Sequence, residues 1–190
     1  MGAIITTEEP AMKRRNFRST VRRTALVLAG ALVVAGGASA SAAKPIDGTG
    51  GPDKLHGTVH ADVIDAKGGD DIVKARAGDD LVTAGAGDDT VNGQGGSDEL
   101  RGEAGDDVLV SGHDDVRDYL VGGGGKDKLY GTGTDFAFGG PGNDRIWLTY
   151  PAKGGKVLCG GGHDVLTYNQ DPPAGVKVVG CEVVKVVSAG

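Results

Sequence analysis

Aspartate recurs along this chain at a fixed interval. Asp53, Asp62, Asp71, Asp80, Asp89, Asp98 and Asp107 are spaced nine residues apart, and Asp118, Asp127, Asp135, Asp144 and Asp164 continue the series less regularly. Carboxylates can work as an acid–base pair or as ligands for a cation, and the pattern separates the two. The doublets Asp70–Asp71, Asp79–Asp80, Asp88–Asp89 and Asp106–Asp107 bear a surface likeness to the paired carboxylates of sugar hydrolysis. Neighbours on an extended chain point to opposite sides, however, and a doublet repeated along the chain defines no single reaction centre. His56, His60, His113 and His163 form no His-Glu-x-x-His motif, and with no helix to align them they read as surface histidines. No serine of the segment after residue 43 lies in a G-x-S-x-G elbow. No nucleophile–base pair is found, and we expect no enzyme. What remains is a periodic set of oxygen donors.

The segments that must position these donors are visible between Ala66 and Val110. Cut every nine residues, this stretch reads AKGGDDIVK, ARAGDDLVT, AGAGDDTVN, GQGGSDELR and GEAGDDVLV. The first half of each unit is Gly-rich and can turn sharply. Asp holds the sixth place, and Val73, Val82, Val91, Leu100 and Leu109 hold the eighth. The second half is a short strand whose middle residue points inward. Two units make one lap of a flattened coil, so a lap is 18 residues. Asp71, Asp89 and Asp107 then line one edge, and Asp62, Asp80 and Asp98 the other. Strands lie about 4.8 Å apart, so carboxylates of successive laps crowd together, and repulsion predicts a cation between them. Calcium suits the donors, since it takes about 6–8 carboxylate and carbonyl oxygens at roughly 2.3–2.6 Å.

These units resemble the RTX, or hemolysin-type, calcium-binding nonapeptide, GGxGxD followed by x-aliphatic-x. The resemblance covers residues 48–147 well and 159–167 in part. It implies an all-β fold, a right-handed parallel β-roll (β-solenoid) with several Ca2+ ions between its turns. It places Asp53, Asp62, Asp71, Asp80, Asp89, Asp98, Asp107, Asp118, Asp127, Asp135, Asp144 and Asp164 as metal ligands. The array has faults: the unit 111–121 is 11 residues long, the unit 131–138 is one residue short, and the rung 148–158 has no Asp. Asp89, with intact units on both sides, is expected to help ligate two ions, and Asp135 at best one poor site.

Residues 1–43 read as a secretory signal peptide, with Met12 an alternative start. A basic stretch (Lys13, Arg14, Arg15, Arg18, Arg22 and Arg23) precedes the apolar run 25–35, and two A-x-A sites follow at 38–40 and 40–42. The apolar run of 11 residues is shorter than the ~20 needed to span a bilayer. The general export route is favoured over the twin-arginine route, which Arg14-Arg15-Asn16-Phe17 loosely resembles. The remainder has 14 Lys+Arg and 24 Asp+Glu, a net charge of −10. That balance argues against nucleic acid and anionic membrane as partners and suits a cation binder.

Residues 44–147 are read as the roll and 148–190 as irregular rungs with a C-terminal β cap. Cys159 and Cys181 are the only cysteines, and in an exported protein such a pair is expected to form a disulfide. Tyr130, Phe138 and Trp147 occupy the outward ninth place, with Tyr130 and Trp147 on one face beside Val110. We expect the tail to fold over them. The alternative is an exposed aromatic strip that binds a glycan or serves adhesion. The sequence therefore predicts a secreted, extracellular protein that binds calcium ions and folds with them, with a glycan or cell-surface partner as the second reading.

Overall fold

The computed structural model describes residues 45–149, 154–169 and 176–187. The leader assigned to residues 1–43 lies outside the described residues, as does the expected break at 171–173.

Sixteen short strands follow one another: β1 (Ile46–Asp47), β2 (Lys54–His56), β3 (Val63–Asp65), β4 (Ile72–Ala77), β5 (Leu81–Ala86), β6 (Thr90–Gly95), β7 (Glu99–Ala104), β8 (Val108–Gly112), β9 (Tyr119–Gly124), β10 (Lys128–Thr132), β11 (Phe136–Pro141), β12 (Arg145–Thr149), β13 (Lys156–Gly161), β14 (Val165–Tyr168), β15 (Lys177–Val179) and β16 (Val183–Val186). Odd-numbered strands stack in order into one sheet and even-numbered strands into the other. Every pairing is parallel, and in the regular part each residue faces the one 18 positions on, as Val73 faces Val91 and Val82 faces Leu100. This is the lap of a parallel β-roll.

The core is a double column of eighth-place residues. Val73, Val91, Leu109, Leu129, Ile146 and Leu166 from the even sheet are buried against Ile64, Val82, Leu100, Leu120, Ala137 and Val157 from the odd sheet. Their strand neighbours point outward, so each strand alternates buried and exposed residues. With one aliphatic side chain per short strand, the core stays thin, and shape rests on the stacking of laps.

The irregular units are absorbed at the turns. The 11-residue unit lengthens its lap to 20 residues (Leu100 faces Leu120), and the short unit gives 17 (Leu120 faces Ala137). The extra residues leave the ladder at 113–118, where Asp114 Oδ2 accepts the Gly96 N–H at 2.8 Å. The described part of the tail continues the coil: β15 pairs with β13 and β16 with β14. It therefore does not fold over the aromatic side chains. Its valines follow the inward–outward register of the preceding lap, and Val178 packs on the core. A disulfide joins Cys159, buried in β13, to Cys181 in the last lap, with Cα atoms 5.1 Å apart.

Candidate metal-binding turns

The sixth-place aspartates stand in two columns, one at each edge of the roll. Each N–H in a column donates to the carboxylate of the following lap. Along one edge the chain of donors runs from Asp53 through Asp71, Asp89, Asp107, Asp127, Asp144 and Asp164, and along the other from Asp62 through Asp80, Asp98 and Asp118 to Asp135, at 2.7–3.1 Å throughout. Both edges match the sequence reading. Glu182 ends the first column, its Oε2 accepting the Asp164 N–H at 2.7 Å. The sequence reading missed it, although Glu182 directly precedes the valine run of β16. This N–H holds the exposed Glu182 carboxyl below its ordinary value. On the second edge Gly155 stands opposite Asp135, and the column stops there.

All of these aspartates are buried except Asp53, which is half-buried. In every column member after the first (Asp53 and Asp62), one carboxylate oxygen, Oδ1, is engaged by the preceding lap. The other divides the turns into two kinds. Oδ2 of Asp71, Asp80, Asp89, Asp98, Asp107, Asp127, Asp144 and Asp164 is buried and has no hydrogen-bond partner. In Asp53 and Asp135 it accepts the N–H of Thr49 and Thr132 at 2.6 and 2.7 Å, and in Asp62 that of Thr58. Asp118, in the long unit, belongs to neither set.

Backbone conformation follows the same division. In the eight open turns the residue at the second place has φ between 75° and 117°, and the glycine at the fourth place has φ between 100° and 150°. Lys67, Arg76, Gln94 and Glu103 take that left-handed conformation despite their side chains, a strain that folded proteins concentrate at functional sites. In the Thr turns neither place has positive φ, and the Thr N–H reaches Oδ2. The first place also matters. A Cβ on Gly102 would collide with Oδ2 of Asp107 in the same unit, so glycine leaves room for the carboxylate.

Burial raises the carboxyl pKa values, ahead of any repulsion. Desolvation pushes Asp98 and Asp144 up to about 6, and Asp107 and Asp118 up to about 7. Asp80, Asp89 and Asp127 are raised for the same reason. The donated N–H opposes this, and charges on adjacent laps add less. The repulsion expected from sequence is therefore real but secondary.

An orphaned buried carboxylate oxygen costs about 1–3 kcal/mol, more when charged. A cation at each open turn removes that cost. Among the described residues no three His, Cys, Asp or Glu side chains converge, so further ligands must be backbone carbonyls of the Gly-rich turns. An all-oxygen donor set of this kind fits Ca2+ and not a thiolate- or imidazole-seeking metal.

The fifth place holds the other carboxylate of each doublet. Asp70, Asp79, Asp88 and Asp106 are exposed, yet they also form ladders: Asp70 Oδ1 accepts from Asp88 N–H, Asp88 from Asp106, and Asp106 from Lys126, at 2.8–3.0 Å. These bonds run from the later lap to the earlier one, opposite to those of the sixth place.

The aromatic residues are split by the sheets. Tyr130 and Trp147 pack side by side on the even sheet, with ring centroids 4.7 Å apart and planes within 5°. Phe138 lies on the odd sheet, with Lys156 Nζ 5.9 Å from its ring centre.

Fold and turns together define a parallel β-roll built to hold hard cations between laps. The RTX calcium-binding nonapeptide repeat, in four copies, matches residues 46–73, 75–109 and 114–146. The chain belongs to this calcium-binding family. No curated protein matches it as a relative.

Proposed function

We propose that this is an exported calcium-binding roll, not an enzyme, whose folding is completed by ions in its eight open turns. The observation that carries this reading is the set of eight buried Oδ2 atoms without a partner. Asp71, Asp80, Asp89, Asp98, Asp107, Asp127, Asp144 and Asp164 would each supply one oxygen, with turn carbonyls supplying others. Asp53, Asp62 and Asp135 would instead be metal-free turns, closed by threonine N–H groups. Asp89 offers one open oxygen and so serves one ion, not two.

Export is supported by the basic stretch, apolar run and A-x-A sites within residues 1–43, and by a disulfide that suits an oxidising compartment. Calcium outside the cell would then stabilise the folded form by mass action. The test is a calcium titration of residues 44–190 followed by circular dichroism, with bound calcium counted by equilibrium dialysis. We expect β signal to rise with calcium and to saturate with up to eight ions. Full β signal in excess chelator would sink the coupling.

A further inference from the structure

The net charge of −10 misdescribes one face of the molecule. The acidic residues are gathered in the turns and on the odd sheet, while the eight strands of the even sheet contain no Asp or Glu. The outward side of that sheet carries Lys54, Lys74, Lys128, Arg145 and Lys185, all exposed. Among the described residues the one ion pair, Arg101 with Glu99, lies on the other sheet. The bordering edge changes too. Its fifth-place residues are Asp70, Asp88 and Asp106 in the first half, then Lys126, Asn143 and His163. Surface carboxylates leave this edge where Lys128 and Arg145 face each other across adjacent strands, and return as Glu182 on the last lap.

Beside these cations stand Tyr130 and Trp147. Their faces press on each other, so they offer no flat strip. The free face of Tyr130 is turned toward Val110, where a recess of about 330 Å³ is lined by Val110, Gly112, His113, Tyr130, Gly131 and Thr149. That is the lower end of the size range of small-ligand sites. It combines a ring face with an exposed imidazole and a hydroxyl.

We propose that the even sheet is a binding face for a carboxylate-bearing polysaccharide, with one sugar ring seated in the recess against Tyr130 and its acidic groups meeting Lys126, Lys128, Arg145 and Lys185. Other polyanions fit less well. The five strand cations span eight rungs, so at about 4.8 Å per rung they fall on average roughly every 8 Å, against one phosphate charge per about 1.7 Å of duplex DNA. Only one ring face is open, that of Tyr130 in the recess, so successive bases have no row of aromatic platforms to stack on. A bilayer has no protruding apolar row to take up, since Tyr130 is 37 % exposed and stacked on Trp147. The proposal rests on the calcium-folded roll.

The test uses calcium-saturated protein on immobilised carboxymethyl-dextran, plain dextran, duplex DNA and phosphatidylserine vesicles. Circular dichroism of each variant is recorded first. We expect salt-sensitive binding to carboxymethyl-dextran and none to plain dextran. The triple variant Lys128→Gln/Arg145→Gln/Lys185→Gln should bind about tenfold more weakly with its calcium-induced signal intact. The odd-sheet variant Lys156→Gln/Lys177→Gln should bind as the parent does. Tyr130→Ser should weaken binding without changing the salt dependence. Equal binding by the triple variant would mean that turn-bound calcium bridges the polymer, and would overturn the proposal. Binding to DNA or vesicles but not to carboxymethyl-dextran would overturn it as well. A chain that gains no structure with calcium would refute the calcium reading itself, and this face with it.

Discussion

Asp89 and Asp135 are both buried sixth-place aspartates, but they hold the roll together in different ways. Removing Asp89 takes the acceptor from the Asp71 N–H, which costs about 1–3 kcal/mol. It also removes the open Oδ2 and, with it, one ion. At a calcium concentration 100-fold above its dissociation constant, that ion is worth about 2.7 kcal/mol. Asp89→Ala should therefore cost about 4–6 kcal/mol in saturating calcium and about 1–3 kcal/mol when calcium is scarce. Removing Asp135 strands two donors, the N–H groups of Asp118 and Thr132, at about 2–6 kcal/mol whatever the calcium level. The two variants thus separate by slope. Each bound ion adds about 1.4 kcal/mol of stability per tenfold rise in calcium. Asp89→Ala should lose one such increment, and Asp135→Ala none. Urea unfolding at two calcium concentrations reads the slope, and equilibrium dialysis reads the ion count. If both variants lose an ion, or if Asp135→Ala alone does, the division between open and threonine-closed turns is wrong.

Three further outcomes follow from the same geometry. Asp98, Asp107, Asp118 and Asp144 titrate at about 6–7 in the ion-free roll against about 3.9 unfolded, so the folded form binds more protons between those values and its stability rises as pH falls from 7 toward 4. In chelator, β signal should thus be greater at pH 5 than at pH 8, while the calcium midpoint at pH 5 should move to higher concentration; a chelated chain equally unstructured at both pH values would contradict this. The Cys159–Cys181 bridge closes a 22-residue separation worth about 3 kcal/mol, so Cys181→Ser should raise amide exchange in β13 to β16 and leave β4 to β8 protected. Leu109→Ala, fully buried, should cost about 2–5 kcal/mol, whereas Val184→Ala, at the same inward place but 51 % exposed on the last lap, should cost under about 1 kcal/mol.

The period alone settled much of this molecule. Asp at the sixth place and Val or Leu at the eighth dictate an 18-residue lap, because a strand has only two sides and a Gly-rich turn reverses the chain. In the long unit Asp118 and Leu120 keep the two-residue spacing of the sixth and eighth places; Asp114 and Val116 keep it too, and the ladder takes the first pair. The rung 148–158, which has no Asp, could be recognised as the end of a column on the same spacing.

What the period could not show was which oxygens are already occupied. Thr58 and Lys67 fill equivalent places in their units. One donates its N–H to a carboxylate and the other adopts a left-handed φ that leaves Oδ2 open, and this depends on backbone conformation across the whole turn. Glu182 escaped notice because it has no Gly-rich turn before it; it becomes a ladder acceptor only through the parallel pairing of β16 with β14. The even sheet's charge was likewise invisible in a total of −10. Alternation sends Lys128 and Arg145 outward on one side while turns at the edges collect the aspartates, and only the stacking of laps brings cations 17 or more residues apart onto a single face.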